Sequence, residues 1–149
     1  MFNNILLPTD GSGAALIASQ AVAVMVKERP ATKVTIAVVI NPLTADETGI
    51  GEEALARQNA YMRQQAEKAL ELAAASFADH RDNLITKILT GDPVSGVIAK
   101  EATEGGYDLI ALGSRGMGML RSDLHYLGSV TEHVIRRVGI PVLVIPIQK

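Results

Sequence analysis

Leu109-Ile110-Ala111-Leu112-Gly113-Ser114-Arg115-Gly116, resumed at Gly128-Ser129-Val130-Thr131, is the stretch on which the reading of this chain turns. A short apolar run of strand character breaks off at glycines, and a new helix is predicted to begin at Gly128-Ser129. Glycines let a backbone approach a ligand closely, and the first amides of a helix present N–H groups without intrahelical partners. Such a helix start favours anions, phosphate above all.

The same alternation of strand and helix patterns extends outward through the chain. Ile5–Pro8 reads as a first strand, followed by an alanine-rich helix from Ser12 or Gly13 to about Arg29, with Ile17, Val22 and Met25 available for burial. Lys33–Ile40 is a β-branched run suited to burial on both faces. The segment 41–52 carries Pro42, Gly49 and Gly51 and reads as a loop. From Glu53 to about Asp79, Leu55, Met62, Ala66, Ala69, Ala73 and Phe77 recur at helical spacing and give one apolar face. Leu84–Leu89 is a third strand; Asp92 and Pro93 then open a helix as its cap and first residue. Asp108–Leu112, a helix over Ser129–Val138 and a strand over Val142–Ile147 complete the series, with Gly139 and Pro141 punctuating the last connection. This order predicts an α/β domain over residues 1–149, with a parallel sheet and right-handed crossovers that place helices on both faces. Ligands of such open sheets gather beyond the carboxyl ends of the strands, where the strand order reverses. Asp10, Asn41 and Gly113 all stand just past predicted strand ends.

Composition narrows the chemistry. The chain has 149 residues, and a domain of this size buries roughly 68–70% of its unfolded surface without a covalent staple. There is no cysteine, which removes thiol catalysis and cysteine-held metals; His80, His125 and His133 are scattered without ligand spacing. A net charge of −2 with mixed signs, and only two Phe and three Tyr, argue against a nucleic-acid surface. No run approaches the ~20 apolar residues of a membrane span, and the first residues lack the pattern of a signal peptide. The chain reads as a soluble cytoplasmic protein.

Each candidate position also has a bland explanation. Pro8-Thr9-Asp10-Gly11-Ser12 places a carboxylate at the pocket rim, for a ribose hydroxyl or a hydrated Mg²⁺; equally, Asp-Gly favours a tight turn and Ser12 caps a helix. Ser129 and Glu132 have the spacing of a capping box, and Ser129 and Thr131 also bring two hydroxyls into one first turn. Arg115 is a phosphate counter-charge or a solvated loop residue. Neither Gly-x-x-x-x-Gly-Lys-Ser/Thr nor Gly-x-Gly-x-x-Gly is present, so neither a P-loop NTPase nor a dinucleotide dehydrogenase is indicated.

Together, residues 5–12, Gly91-Asp92-Pro93, 108–116, 128–135 and 141–146 resemble the universal stress proteins. The resemblance implies an open five-stranded parallel sheet in the order 3-2-1-4-5, Rossmann-like, of the adenine nucleotide alpha hydrolase type. It also implies nucleotide binding of the branch marked by Gly-x-x-Gly, nine residues, then Gly-Ser/Thr. In this chain Met117 to Leu127 is eleven residues, a spacer two longer. Transferred to these positions, Pro8, Thr9 and Asp10 would line the nucleotide, with Asp10 beside ribose and metal and Val39 against adenine. Gly113 and Gly116 would approach ribose and phosphates, and Gly128, Ser129, Val130 and Thr131 would hold the phosphates.

The leading expectation is a stress-response or regulatory protein that binds ATP or AMP, with Mg²⁺, and hydrolyses little or none of it. Asp10 has no evident companion base for activating water. The second is a dimeric protein-interaction module of the same fold without nucleotide, which the longer spacer favours. An adenylating enzyme ranks last, because further signatures such as Ser-Gly-Gly-x-Asp-Ser are missing. In the 3-2-1-4-5 order the apolar run Val142-Leu143-Val144-Ile145 lies at a sheet edge, which predicts a homodimer through it.

Overall fold

The computed structural model describes residues 1–114 and 127–147. Five parallel strands form one sheet: β1 (Asn4–Pro8), β2 (Lys33–Ile40), β3 (Leu84–Thr90), β4 (Leu109–Gly113) and β5 (Val142–Ile145), in the order β3-β2-β1-β4-β5. The expected order is therefore present, and the reversal point lies between β1 and β4. The helices are α1 (Gly13–Val26), α2 (Ala45–Thr48), α3 (Glu52–Ala74), α4 (Val94–Glu104) and α5 (Ser129–Arg137).

Two apolar clusters cover the two faces of the sheet. On one, Ile5, Leu7, Val34, Ile36 and Val38 meet Val22 and Val26 of α1 and Ala66, Leu70 and Ala73 of α3. On the other, Leu6, Ala37, Ile110 and Leu112 meet Ile98 and Ala102 of α4 and Val134 of α5. Alternate residues of β1 and β2 divide between the clusters, as a strand buried on both faces requires.

Helix α1 departs from expectation. Ile17 and Met25 lie outside the buried stripe at 36% and 40% exposure, and that stripe is Ala14, Ala15, Ala18, Ser19, Val22 and Val26. Small side chains at the start of that stripe bring the helix backbone close to the sheet. Three further corrections are local. The predicted loop after β2 contains α2, where the Glu47 carboxylate accepts hydrogen bonds from the Thr44 amide and hydroxyl, both at 3.0 Å. The long helix stops at Ala74 and passes into a 3₁₀ segment, Ala75–Asn83, broken by Phe77 (φ −108°) and His80 (φ −129°). Phe77 keeps its place in the core at 1% exposure, so burial outlasts the helix that predicted it. Asp92 does not cap α4: Pro93, extended at ψ 158°, is the N-cap, and helical geometry begins at Val94.

A polar cluster links β3 to α4. Lys87 Nζ lies 2.8 Å from Glu101 Oε1, and the Tyr107 hydroxyl donates to the same oxygen at 2.9 Å. Burial pushes the Glu101 carboxyl up, but the bonds from Lys87 and Tyr107 and the lysine charge outweigh it and hold Glu101 below its usual range. The bond to Glu101 holds the Lys87 ammonium above its usual range. The Glu101 contribution is therefore present above the unfolded glutamate value of about 4.3 and lost as pH falls through the lower folded value. That of Lys87 is present below about 10.4 and lost only as pH rises through the higher folded value. Glu101→Gln should cost about 0.5–1 kcal/mol at pH 7, since the lysine is substantially solvated. Urea unfolding at pH 7 and pH 3 checks this; the difference between variant and parent should shrink at the acid end.

Candidate functional site

The ends of β1 and β4 lie side by side, and the chain leaves each in a different way. After Pro8, the Thr9 amide still donates to Ala37 of β2 at 2.8 Å, and the backbone then turns sharply. The Gly11 amide donates to Thr9 Oγ1 at 3.3 Å, and the Ser12 amide to Asp10 Oδ1 at 2.9 Å. Gly11 itself sits at φ +79°, a left-handed conformation that favours glycine. Ser12 then caps α1, its hydroxyl oxygen accepting from the Ala15 amide at 3.2 Å. Asp10 is thereby held just past the end of β1, exposed, with its Oδ1 accepting from the Ser12 amide.

The opposite wall is built on the end of β4. A methyl group at Gly113 would lie 3.0 Å from the carbonyl oxygen of Ala14 and 3.1 Å from its carbonyl carbon. The first turn of α1 thus packs against backbone that carries no side chain. Beyond it, Ser114 is tied on both sides: its amide donates to Ile145 at 2.9 Å and its carbonyl accepts from the Gly128 amide at 2.8 Å. The hydroxyl of Ser114 also accepts from the Ile147 amide at 3.3 Å.

Helix α5 starts directly after Gly128. The predicted capping box does not form there: Gly128 is the N-cap, and Ser129 is the first helical residue, exposed to solvent. Glu132 pairs instead with Arg136 one turn on, at 2.8 Å, which offsets the negative charge it brings to the helix start. The first hydrogen bond of the helix runs from the Glu132 amide to the Gly128 carbonyl at 2.9 Å. The amides of Ser129, Val130 and Thr131 precede it and have no carbonyl one turn back within the helix. Three donors thus lie at the positive end of the helix dipole, beside the end of β4.

Thr131 is tied to the end of β4. It is buried at 4% exposure, and its hydroxyl donates to the Gly113 carbonyl at 2.9 Å. Val39, two residues beyond the β2 partner of Pro8, is half-buried against the cluster under α4 and α5. Pro8 and Thr9 are buried beneath the turn. Arg115 and Gly116 lie outside the described residues. Ser114 was not singled out from the sequence, where nothing distinguishes a knot of backbone hydrogen bonds from an ordinary loop serine. Among the described residues, no group of three or more His, Asp or Glu side chains converges to hold a metal.

This arrangement, a glycine-ended β4 and a glycine-capped helix at the reversal point of a 3-2-1-4-5 sheet, has known relatives. Residues 1–146 match the model of the Universal stress protein family. The chain belongs to that family. Universal stress protein Sll1654 of Synechocystis sp. is 32% identical over 148 residues, covering 98% of this chain and 87% of its own. The solved structure of hypothetical protein MJ0577 matches with a TM-score of 0.83 at 32% identity, covering 100% of this chain and 99% of the other. A universal stress protein in complex with cAMP matches at a TM-score of 0.66 and 22% identity, over 97% of both chains, and so shares the fold of this universal stress protein. No helix among the described residues is long and apolar enough to cross a membrane.

Proposed function

We propose that this universal stress protein binds an adenine nucleotide, ATP or AMP, in the crevice between the ends of β1 and β4, and acts in the cytoplasm by binding rather than turnover. The observation that carries the reading is the first turn of α5, whose Ser129, Val130 and Thr131 amides form a seat for phosphate oxygens. Gly128 closes the base of that seat, Gly113 and Val39 take the ribose and adenine sides, and Pro8 and Thr9 support the turn that presents Asp10. The cAMP complex of a protein with this fold supports an adenylate in particular.

Asp10 suits Mg²⁺ that arrives with the nucleotide. That ion keeps several waters and commonly takes one or two carboxylates plus phosphate oxygens, so it needs no cage of protein ligands. Its chemistry in this site would be to neutralise phosphate charge. A single carboxylate at the rim binds and orients; efficient hydrolysis needs a base within hydrogen-bond reach of the attacking water. Little or no turnover is the consequence.

Titration calorimetry with ATP, AMP and cAMP, with and without Mg²⁺, tests the site. Binding of at least one adenylate is expected, and Asp10→Asn should reduce the gain in ATP affinity from Mg²⁺ by about fivefold or more, as for loss of a charge-assisted contact. An unchanged gain would remove Asp10 from the metal. Absence of heat with every adenylate at millimolar concentration would leave the protein-interaction module as the better reading. We further propose a homodimer through Val142, Leu143, Val144 and Ile145, because β5 is an uncharged strand at the sheet edge. Sedimentation showing only monomer at tens of micromolar contradicts it.

A further inference from the structure

We propose that the Thr131 hydroxyl is a positioning group, not a phosphate ligand, and that it holds the seat at the start of α5 in place from the end of β4. The inference rests on the adenylate reading above. Two hydrogen bonds fasten the helix start to consecutive carbonyls at the end of β4: Thr131 Oγ1 to Gly113 at 2.9 Å, and the Gly128 amide to Ser114 at 2.8 Å. A third, from the Ser114 amide to Ile145 at 2.9 Å, fixes Ser114 against β5. The helix start is therefore bonded to the end of β4 at both Gly128 and Thr131.

The Thr131 hydroxyl has one proton, and it goes to Gly113. With the residue at 4% exposure, a side chain without a donor leaves the Gly113 carbonyl without that partner in a nearly dry place. The Ser129, Val130 and Thr131 amides must lie within about 0.2–0.3 Å of ideal donor distance to serve one ligand together. Releasing one fastening at the third helical residue disturbs all three at once. Gly113 also abuts Ala14, so the same strand end sets the separation of the Asp10 wall from the α5 wall.

The test compares Thr131→Val, Thr131→Ser and a control, Ser19→Ala, by calorimetry with Mg²⁺-ATP, AMP and cAMP alongside thermal unfolding. Ser19 is fully buried and its hydroxyl donates to Ala15 at 3.0 Å within α1, so its loss also removes a buried hydrogen bond. Thr131→Val should weaken adenylate binding about tenfold, the equivalent of one hydrogen bond. Thr131→Ser, which restores the donor, should stay within about twofold of the parent, and Ser19→Ala should lower the melting temperature without changing affinity. If Thr131→Val does not fold, Thr131→Cys against Thr131→Ser makes the same comparison, the thiol being a far weaker donor. Equal affinity in parent and donor-less variant overturns the assignment while leaving the adenylate site intact. So does equal weakening by Ser19→Ala. A parent protein that binds none of the three adenylates overturns both together.

Discussion

Gly113→Val is expected to unfold at lower denaturant by about 2–3 kcal/mol and to lose adenylate affinity by more than tenfold. The obstacle is backbone. The first added carbon already meets the Ala14 carbonyl at 3.0–3.1 Å and the Ala14 methyl at 3.3 Å, and valine brings two more methyl groups into the same contact. A peptide unit in the first turn of a helix cannot rotate aside, so α1 must shift away from β4, and overpacking of this kind typically costs 1–3 kcal/mol. The shift carries with it the Asp10–Ser12 turn, because Ser12 caps that helix. The Asp10 side and the amide side then no longer face each other at the separation one ligand needs. Urea unfolding followed by titration of the folded protein checks both effects. A variant that is destabilised yet binds AMP as the parent does would show that the α1 wall takes no part in binding.

Gly105→Ala should be at least as damaging to the fold, by about 3 kcal/mol, and should leave the site chemistry alone. Gly105 closes α4 with its amide on the Glu101 carbonyl at 2.8 Å. A methyl group there would overlap the edge of the Tyr107 ring and lie 2.8 Å from the Glu101 carbonyl oxygen. Tyr107 is 7% exposed and belongs to the cluster beneath α4, so its ring has little room to retreat. Moving it also strips a donor from Glu101. For a chain of this length, such a loss lowers the melting temperature by roughly 6–12 °C. A fall of under 1 kcal/mol would mean that the ring and the helix end yield more easily than their burial implies.

The parts of the fold that were readable in the sequence are those where one physical signal dominates. Lys33–Ile40 is continuous, β-branched and buried on both faces, and its bounds agree with β2 residue for residue. Ala66, Ala69 and Ala73 keep helical spacing and are buried as that spacing requires. Competition between signals hid the remainder. Thr44 and Glu47 have the same separation as Ser129 and Glu132, yet Glu47 turns back to Thr44 whereas Glu132 turns forward to Arg136, an oppositely charged partner four residues on. Ile17 lost its place against the sheet to Ala14, Ala15 and Ala18, where the start of α1 approaches the end of β4 closely, and Met25 lost its place to Val22 and Val26. At the candidate site, the strand-end positions of Asp10 and Gly113 were legible from the break in apolar pattern. The commitment of Thr131 to a strand carbonyl was not, since the same hydroxyl could serve a cap, a ligand or the fold, and only the position of Gly113 decides among them.

The two outer strands differ in a way that bears on how large an assembly this sheet supports. The four residues of β5 are all uncharged and half-buried, whereas β3 carries Lys87 at its centre, an ammonium anchored to Glu101 and substantially solvated. A neighbour approaching β3 would have to strip water from that fixed cation, a known deterrent to strand addition. Under the proposed pairing through β5, growth would be open from one side only: it would end with two sheets joined edge to edge, and the continuous ribbon that two permissive margins would allow would be denied.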